Sequence, residues 1–305
     1  MGQDMITING DKGLIRINGW EDIIERPGFN PDLNPVLSPL KAIIGRYVFG
    51  DQVRCGLANC HTPHNRGYIV TTEDRQETNI GADCGKTYFS VDFDEMERTF
   101  NRDVNAMEDR EFLHSLAFRV QEIDRQISDL RSTPKGANWV NKYCTALRDP
   151  RSVPTAVTRQ FDQFIKANSG KFTLERVATE EEALQRDQVS GRRLPRPVYV
   201  IEFEADIRGV EALYDEYDLR KILVVDLQEK LGDFKKVKID ELTEAELKHW
   251  KKWAVQIEQK LEVAGRAVEL GQTLLTHQNL APLLRAPGLG NQDEYDRFKK
   301  FLDKL

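Results

Sequence analysis

The sequence predicts a mostly helical α+β protein: a small N-terminal β element with a zinc-binding hairpin-helix module, a long antiparallel helical stalk, and a mixed α/β insertion. Three observations carry that prediction. Two β-branched runs flank Gly10-Asp11-Lys12-Gly13 near the start. Three cysteines and two histidines gather between residues 55 and 84. Two stretches, 107–132 and 243–275, repeat apolar residues at steps of three and four. A chain of 305 residues with 40% hydrophobic content can bury at least one good core and suggests two domains. We place them at residues 1–95 and 96–305, the second carrying the insertion at about 170–235.

In chain order, Met5-Ile-Thr-Ile-Asn-Gly10 and Gly13-Leu-Ile-Arg-Ile17 read as a hairpin. Pro27, Pro31, Pro35 and Pro39 punctuate a loop, and Ser38-Pro39 reads as the cap and first residue of a short helix through Arg46. Leu113, Leu116, Val120, Ile123, Ile127 and Leu130 form one helical seam, ended by Pro134 and Gly136. The second seam runs Leu247, Trp250, Ala254, Ile257, Leu261, Ala264, Val268, Gly271 and Leu275. Thr243 and Glu246 are placed to form its capping box. Small residues at 254, 264 and 271 favour packing of the seams within one chain over a two-chain coiled coil. Phe172–Val177 and Val198–Phe203 read as strands, residues 209–232 as two helices or a helix and a buried strand, and the tail as an amphipathic helix.

The metal module is the sharpest local signal. Cys55, Cys60, His61, His64 and Cys84 supply five zinc-type donors within thirty residues, and a closed set of four such donors marks a structural site. Tyr68–Thr72 and Glu77–Ile80 read as hairpin strands about Glu73–Gln76. Cys84 then falls at a helix start, where free amides and the positive dipole end favour a thiolate. The fourth donor is His64 or His61. Adjacency to Cys60 disfavours His61, which is placed instead to orient a ligand, so the expected set is Cys55, Cys60, His64 and Cys84 around one structural zinc. Cys144 is left over and reads as a buried, inert thiol.

Knuckle, hairpin and helix-borne ligand together resemble the treble-clef group of zinc fingers over about residues 50–95. The group's helix usually supplies two ligands, whereas nothing after Cys84 in the first turn coordinates. His-Asn-His nucleases use a similar scaffold but need a histidine on the hairpin, and residues 68–80 have none. The deaminase signature, the P-loop, the dinucleotide fingerprint, the nucleophile elbow and His-Glu-x-x-His are all missing, so the sequence is read as non-catalytic and no small-molecule substrate is apparent. His114, His249 and His277 lie on charged helical stretches and read as solvent-facing.

The net charge of −6 argues against wholesale capture of a nucleic acid backbone, though local basic faces remain open to it. Residues 135–196 lean basic, ending in Arg192, Arg193 and Arg196, and Lys248-His-Trp-Lys-Lys-Trp253 is the densest basic-aromatic cluster. From these, Arg192, Arg193, Arg196, Lys248, Lys251, Lys252 and Trp253 are candidate nucleic-acid contacts, with Trp250 assigned to the seam. No apolar run is long enough for a bilayer, and Met1–Ile6 carries no charged-then-apolar signal, so a cytoplasmic address is expected. The expected function is a zinc-finger adaptor on DNA or RNA. The alternative is a protein-only scaffold or regulator whose zinc stabilises a docking surface.

Overall fold

The computed structural model describes residues 5–10, 13–17 and 19–305. The turn at Asp11-Lys12 and the stretch Met1–Asp4, both used in reading the N-terminus, lie outside the described residues. The chain forms two compact units. One comprises Met1–Leu116 with Lys238–Lys251; the other comprises Ala117–Val237 with Lys252–Leu305. No helix among the described residues is long and apolar enough to cross a membrane.

The first unit is built on an antiparallel sheet of β1 (Met5–Gly10), β2 (Gly13–Ile17), β3 (Leu40–Arg54), β4 (Pro63–Thr72) and β5 (Glu77–Ile80). The strand order is β2-β1-β3-β4-β5. A short helix α1 (Glu21–Ile24) lies in the β2–β3 connection, and the long helix α2 (Ala82–Ser132) begins directly after β5. Where a helix through Arg46 is predicted, the chain is strand. Gly45, Tyr47 and Phe49 are buried and their neighbours are not, a period of two that only a strand presents to a core. Ser38 is buried and hydrogen-bonds Asp74 instead of capping a helix.

A bulge in β3 between Ile43 and Gly45 changes the face on which later residues point. Ile43 therefore joins a core of Leu33, Cys55, Leu57, Val70, Ile80, Phe93, Phe100 and Val104, while Tyr47 and Phe49 join Ile6, Ile8, Ile23 and Ile69 in a second. The first core is shared by the sheet, the start of α2 and the cysteine loop. That sharing is what fixes the metal module to the rest of the unit.

The second unit contains the end of α2, α3 (Ala137–Leu147), α4 (Thr155–Ala167), the hairpin β6 (Lys171–Val177) and β7 (Tyr199–Asp206), and α5 (Glu180–Ser190) between those strands. Residues 209–232 settle as two 3-10 turns, Val210–Leu213 and Asp215–Tyr217, then a π-helix, Lys221–Glu229, running into α6 (Lys230–Phe234). The second seam becomes α7 (Glu244–Ala254) and α8 (Ile257–Leu274), followed by a short α9 (His277–Leu280) and the tail helix α10 (Gln292–Leu302). The Thr243–Glu246 capping box forms as expected.

The long helices pack together, but not as an antiparallel stalk. Arg119 pairs with Glu258, and further along both segments Gln272 donates to the Lys135 carbonyl, so α8 runs parallel to the end of α2. In the first unit α7 crosses α2: Arg110 reaches the Leu242 carbonyl and Lys251 reaches Asp109, both within one turn of α2. A short loop forces neighbouring helices antiparallel. Here residues 133–243 intervene, and that length lets the chain return to the start of the stretch it packs on.

Candidate metal centre

Each cysteine is delivered by a different local device. Cys55 follows β3 directly and donates its amide to the Thr62 carbonyl at 3.1 Å, closing the loop between them. Cys60 sits in a turn closed by its amide on the Leu57 carbonyl at 3.0 Å. His61 next to it has a φ of 56°, a left-handed residue that lets the chain reverse into β4. Cys84 lies in the first turn of α2, as expected. The three sulfurs all lie within 4.8 Å of one another, with Cys60 and Cys84 at 3.2 Å, and all three thiols are free.

Three sulfurs gathered this closely form a cluster geometrically capable of coordinating a metal ion, and sulfur donors select thiophilic ions such as zinc. The thiols also disagree in acidity. Burial pushes Cys84 up to about 12, aided by its bond to Cys60 and by the charge of Cys55. Burial likewise raises Cys55. At Cys60 burial is outweighed by hydrogen bonding from Thr62, which holds that thiol below the ordinary value. Three thiolates side by side repel, so a bound cation favours loss of the thiol protons.

Neither histidine belongs to the group of mutually close donors. His64, on β4, contacts the Tyr47 hydroxyl through Nε2 at 2.5 Å and the Thr62 carbonyl through Nδ1 at 3.0 Å. Tyr47 is fully buried, and burial raises its phenol well above the usual value. It reaches His64 across Gly67, where a Cβ would stand 2.4 Å from the phenolic oxygen. Asn79 braces the pair, donating to the Tyr47 hydroxyl at 3.3 Å and to the Arg54 carbonyl at 2.8 Å. His61 contacts the Cys55 carbonyl at 3.2 Å and Asp32 at 3.0 Å, the orienting place that the sequence suggests for it.

The knuckle also holds a loop. Leu33 is fully buried, its amide donates to the Gly56 carbonyl at 2.8 Å, and its carbonyl accepts from Ala58 at 2.9 Å. Asn34 then turns the chain by accepting from the Val36 amide. Val36 and Leu37 are left 79% and 76% exposed beside this anchored stretch. Sequence reasoning missed Tyr47, Asn79 and Leu33, because their partners are distant in the chain and no spacing links them.

The candidate nucleic-acid residues fare unevenly. Trp253 is a correction: it is buried, its indole N–H donates to the Asp226 carbonyl at 2.9 Å, and its ring lies 5.8 Å from that of Phe234. A packed helix buries a stripe wider than a two-residue heptad seam, and Trp253 falls within it while Trp250 is half-buried. Lys251 pairs with Asp109, Lys248 with Glu244, and Arg196 with Asp187 at 2.6 Å. Arg192, Arg193 and Lys252 are exposed.

Comparison with known proteins adds no further constraint: no protein-family model, no curated protein and no solved structure matches the chain.

Proposed function

We propose that residues 50–95 form a treble-clef-like structural zinc module, and that the protein is a non-catalytic scaffold or regulator in which this module presents a protein-docking loop. The observation that carries the reading is the Val36-Leu37 pair, two large apolar side chains held in water by a loop whose anchor, Leu33, is bracketed by the knuckle backbone. Exposed apolar side chains on an anchored loop suit a protein partner better than a phosphate backbone. The nucleic-acid reading loses its aromatic element with Trp253 buried, and much of its charge with Lys248, Lys251 and Arg196 already paired.

In this reading Cys55, Cys60 and Cys84 hold the ion and His64 is the fourth donor. The His64 ring packs on Gly81, whose backbone hydrogen-bonds Cys55, so exchange of the Tyr47 hydroxyl for the metal at Nε2 completes the set. The test begins with the partner that copurifies with the native protein. Val36→Asp with Leu37→Asp, and separately chelation of the metal, are expected to abolish its binding. Retention of the partner by the double variant refutes the docking loop. A DNA or RNA shift at low salt that fades steeply as salt rises restores the nucleic-acid reading instead.

A further inference from the structure

The second unit contains a groove with no counterpart in the sequence motifs. It opens between α3 and the two 3-10 turns, encloses about 380 Å³, and continues into a smaller hollow of about 230 Å³ through the shared residues Asn141, Leu219 and Arg220. Its apolar lining is buried: Val140, Cys144, Leu213 and Leu219. Both walls rest on adjacent residues of α8. A Cβ at Gly271 would stand 2.1 Å from Val140 of α3, and a Cβ at Gly209, whose φ is +76°, would stand 2.4 Å from the Leu270 carbonyl. Asn279 clamps the approach to the second wall, accepting from the Arg208 amide at 3.0 Å and donating to its carbonyl at 2.9 Å. The groove is therefore preformed by close backbone packing, as small-molecule sites usually are.

Its rim is charged and aromatic. Arg148 ends α3 and Arg220 precedes the π-helix, an element that recurs at functional sites. Asp215, Tyr214 and Tyr217 share the lining with them. Among the described residues neither guanidinium is in an ion pair, and neither is Asp215, although all three line one cavity. Elsewhere in this unit arginines are spent on carboxylates, as at Arg119, Arg176 and Arg196.

We propose that the groove binds a mononucleotide. Two guanidiniums supply forked donors for a phosphate. A tyrosine ring gives a flat face for the base, and a carboxylate accepts from a ribose hydroxyl. The enclosed volume lies at the lower end of the range for small-ligand sites, which fits one nucleotide and not a strand.

Isothermal titration of the full chain with AMP, GMP, CMP and UMP, beside inorganic phosphate and adenosine as controls, tests this. At least one mononucleotide is expected to bind one-to-one with a submillimolar Kd, more tightly than either control. Arg148→Gln and Arg220→Gln should each weaken it by roughly tenfold, the size of one charge-assisted hydrogen bond, with the melting temperature unmoved because both side chains are exposed. The proposal is overturned if none of the four gives heat at millimolar concentration, if phosphate alone binds as well, or if both variants bind like the parent. Chelation of the zinc leaves these outcomes unchanged, since the groove lies wholly in the second unit.

Discussion

Gly85, next to Cys84, couples the cysteine cluster to the core through a single missing methyl group. A Cβ at position 85 would meet three atoms of the Phe93 ring, at 2.3, 2.4 and 2.5 Å, and Phe93 is fully buried in the core that also contains Cys55 and Leu57. Carbon atoms in good contact stand about 3.5–4.0 Å apart, so Gly85→Ala demands a shift of more than about 1 Å from a ring with no free space around it. Overpacking of this kind costs about 1–3 kcal/mol, while alanine regains about 1 kcal/mol of helix propensity over glycine. The expected net loss is about 1 kcal/mol. It should appear as a several-fold to tenfold drop in amide-exchange protection along β4 and β5 in the metal-loaded protein. Phe93→Leu, which shortens the ring's reach, should be less harmful in the Gly85→Ala background than alone, a coupling that a double-mutant cycle measures. If Gly85→Ala proves as stable as the parent or more so, the reasoning that places the Phe93 ring over position 85 is wrong.

Two further outcomes are open to measurement. Cys84→Ser should lose stoichiometric zinc by elemental analysis and raise amide exchange across residues 55–89, with α3 and α8 unaffected, because metal binding supplies local folding energy; unchanged zinc content removes Cys84 from the ligand set. Glu182 pairs with Arg176 and closes the α5 capping box on Thr179, and the Arg176 guanidinium, with the Thr179 amide, holds its carboxyl at about 2 against an ordinary 4.5. Its folded value being the lower one, its contribution is present above 4.5 and is lost as the pH falls towards 2. A carboxyl-detected NMR titration should find this midpoint, and Arg176→Gln should move it back towards 4.5; a midpoint insensitive to that change denies the pairing.

What the sequence made legible was local. The β4–β5 hairpin, the capping box at Thr243, the burial of both seams except at Leu130 and Trp250, and the convergence of Cys55, Cys60 and Cys84 all depend on spacings of a few residues or on one return of the chain. The stretch after Ser38-Pro39 shows the limit. A helix-start dipeptide is followed there by residues whose period-two burial is decided by pairing with β1 and β4, and the ladder overrides the cap. Helix direction was equally hidden, because seams state which face is buried but not which way the partner runs. The groove walls needed Val140 and Gly209 to meet the same stretch of α8, a coincidence of residues far apart in the chain.

The Tyr47–His64 contact turns the question of the fourth donor into a competition that can be measured. If Nε2 of His64 leaves the Tyr47 hydroxyl for the metal, binding must first break that hydrogen bond, and a protein hydrogen bond contributes about 0.5–1.5 kcal/mol net. Tyr47→Phe removes the competitor from the metal-free form alone. Asn79 loses its bond to the phenol with and without metal, and keeps its bond to the Arg54 carbonyl in both, so its share cancels. Zinc affinity in Tyr47→Phe should therefore rise by roughly twofold to tenfold, and His64→Ala should lower it whether or not Tyr47 is present. Competition with a chromophoric chelator reads both variants and their combination. Weaker binding in Tyr47→Phe, or a His64→Ala protein that holds zinc as tightly as the parent, would mean that the imidazole belongs to the tyrosine and that the fourth position is filled by a different donor.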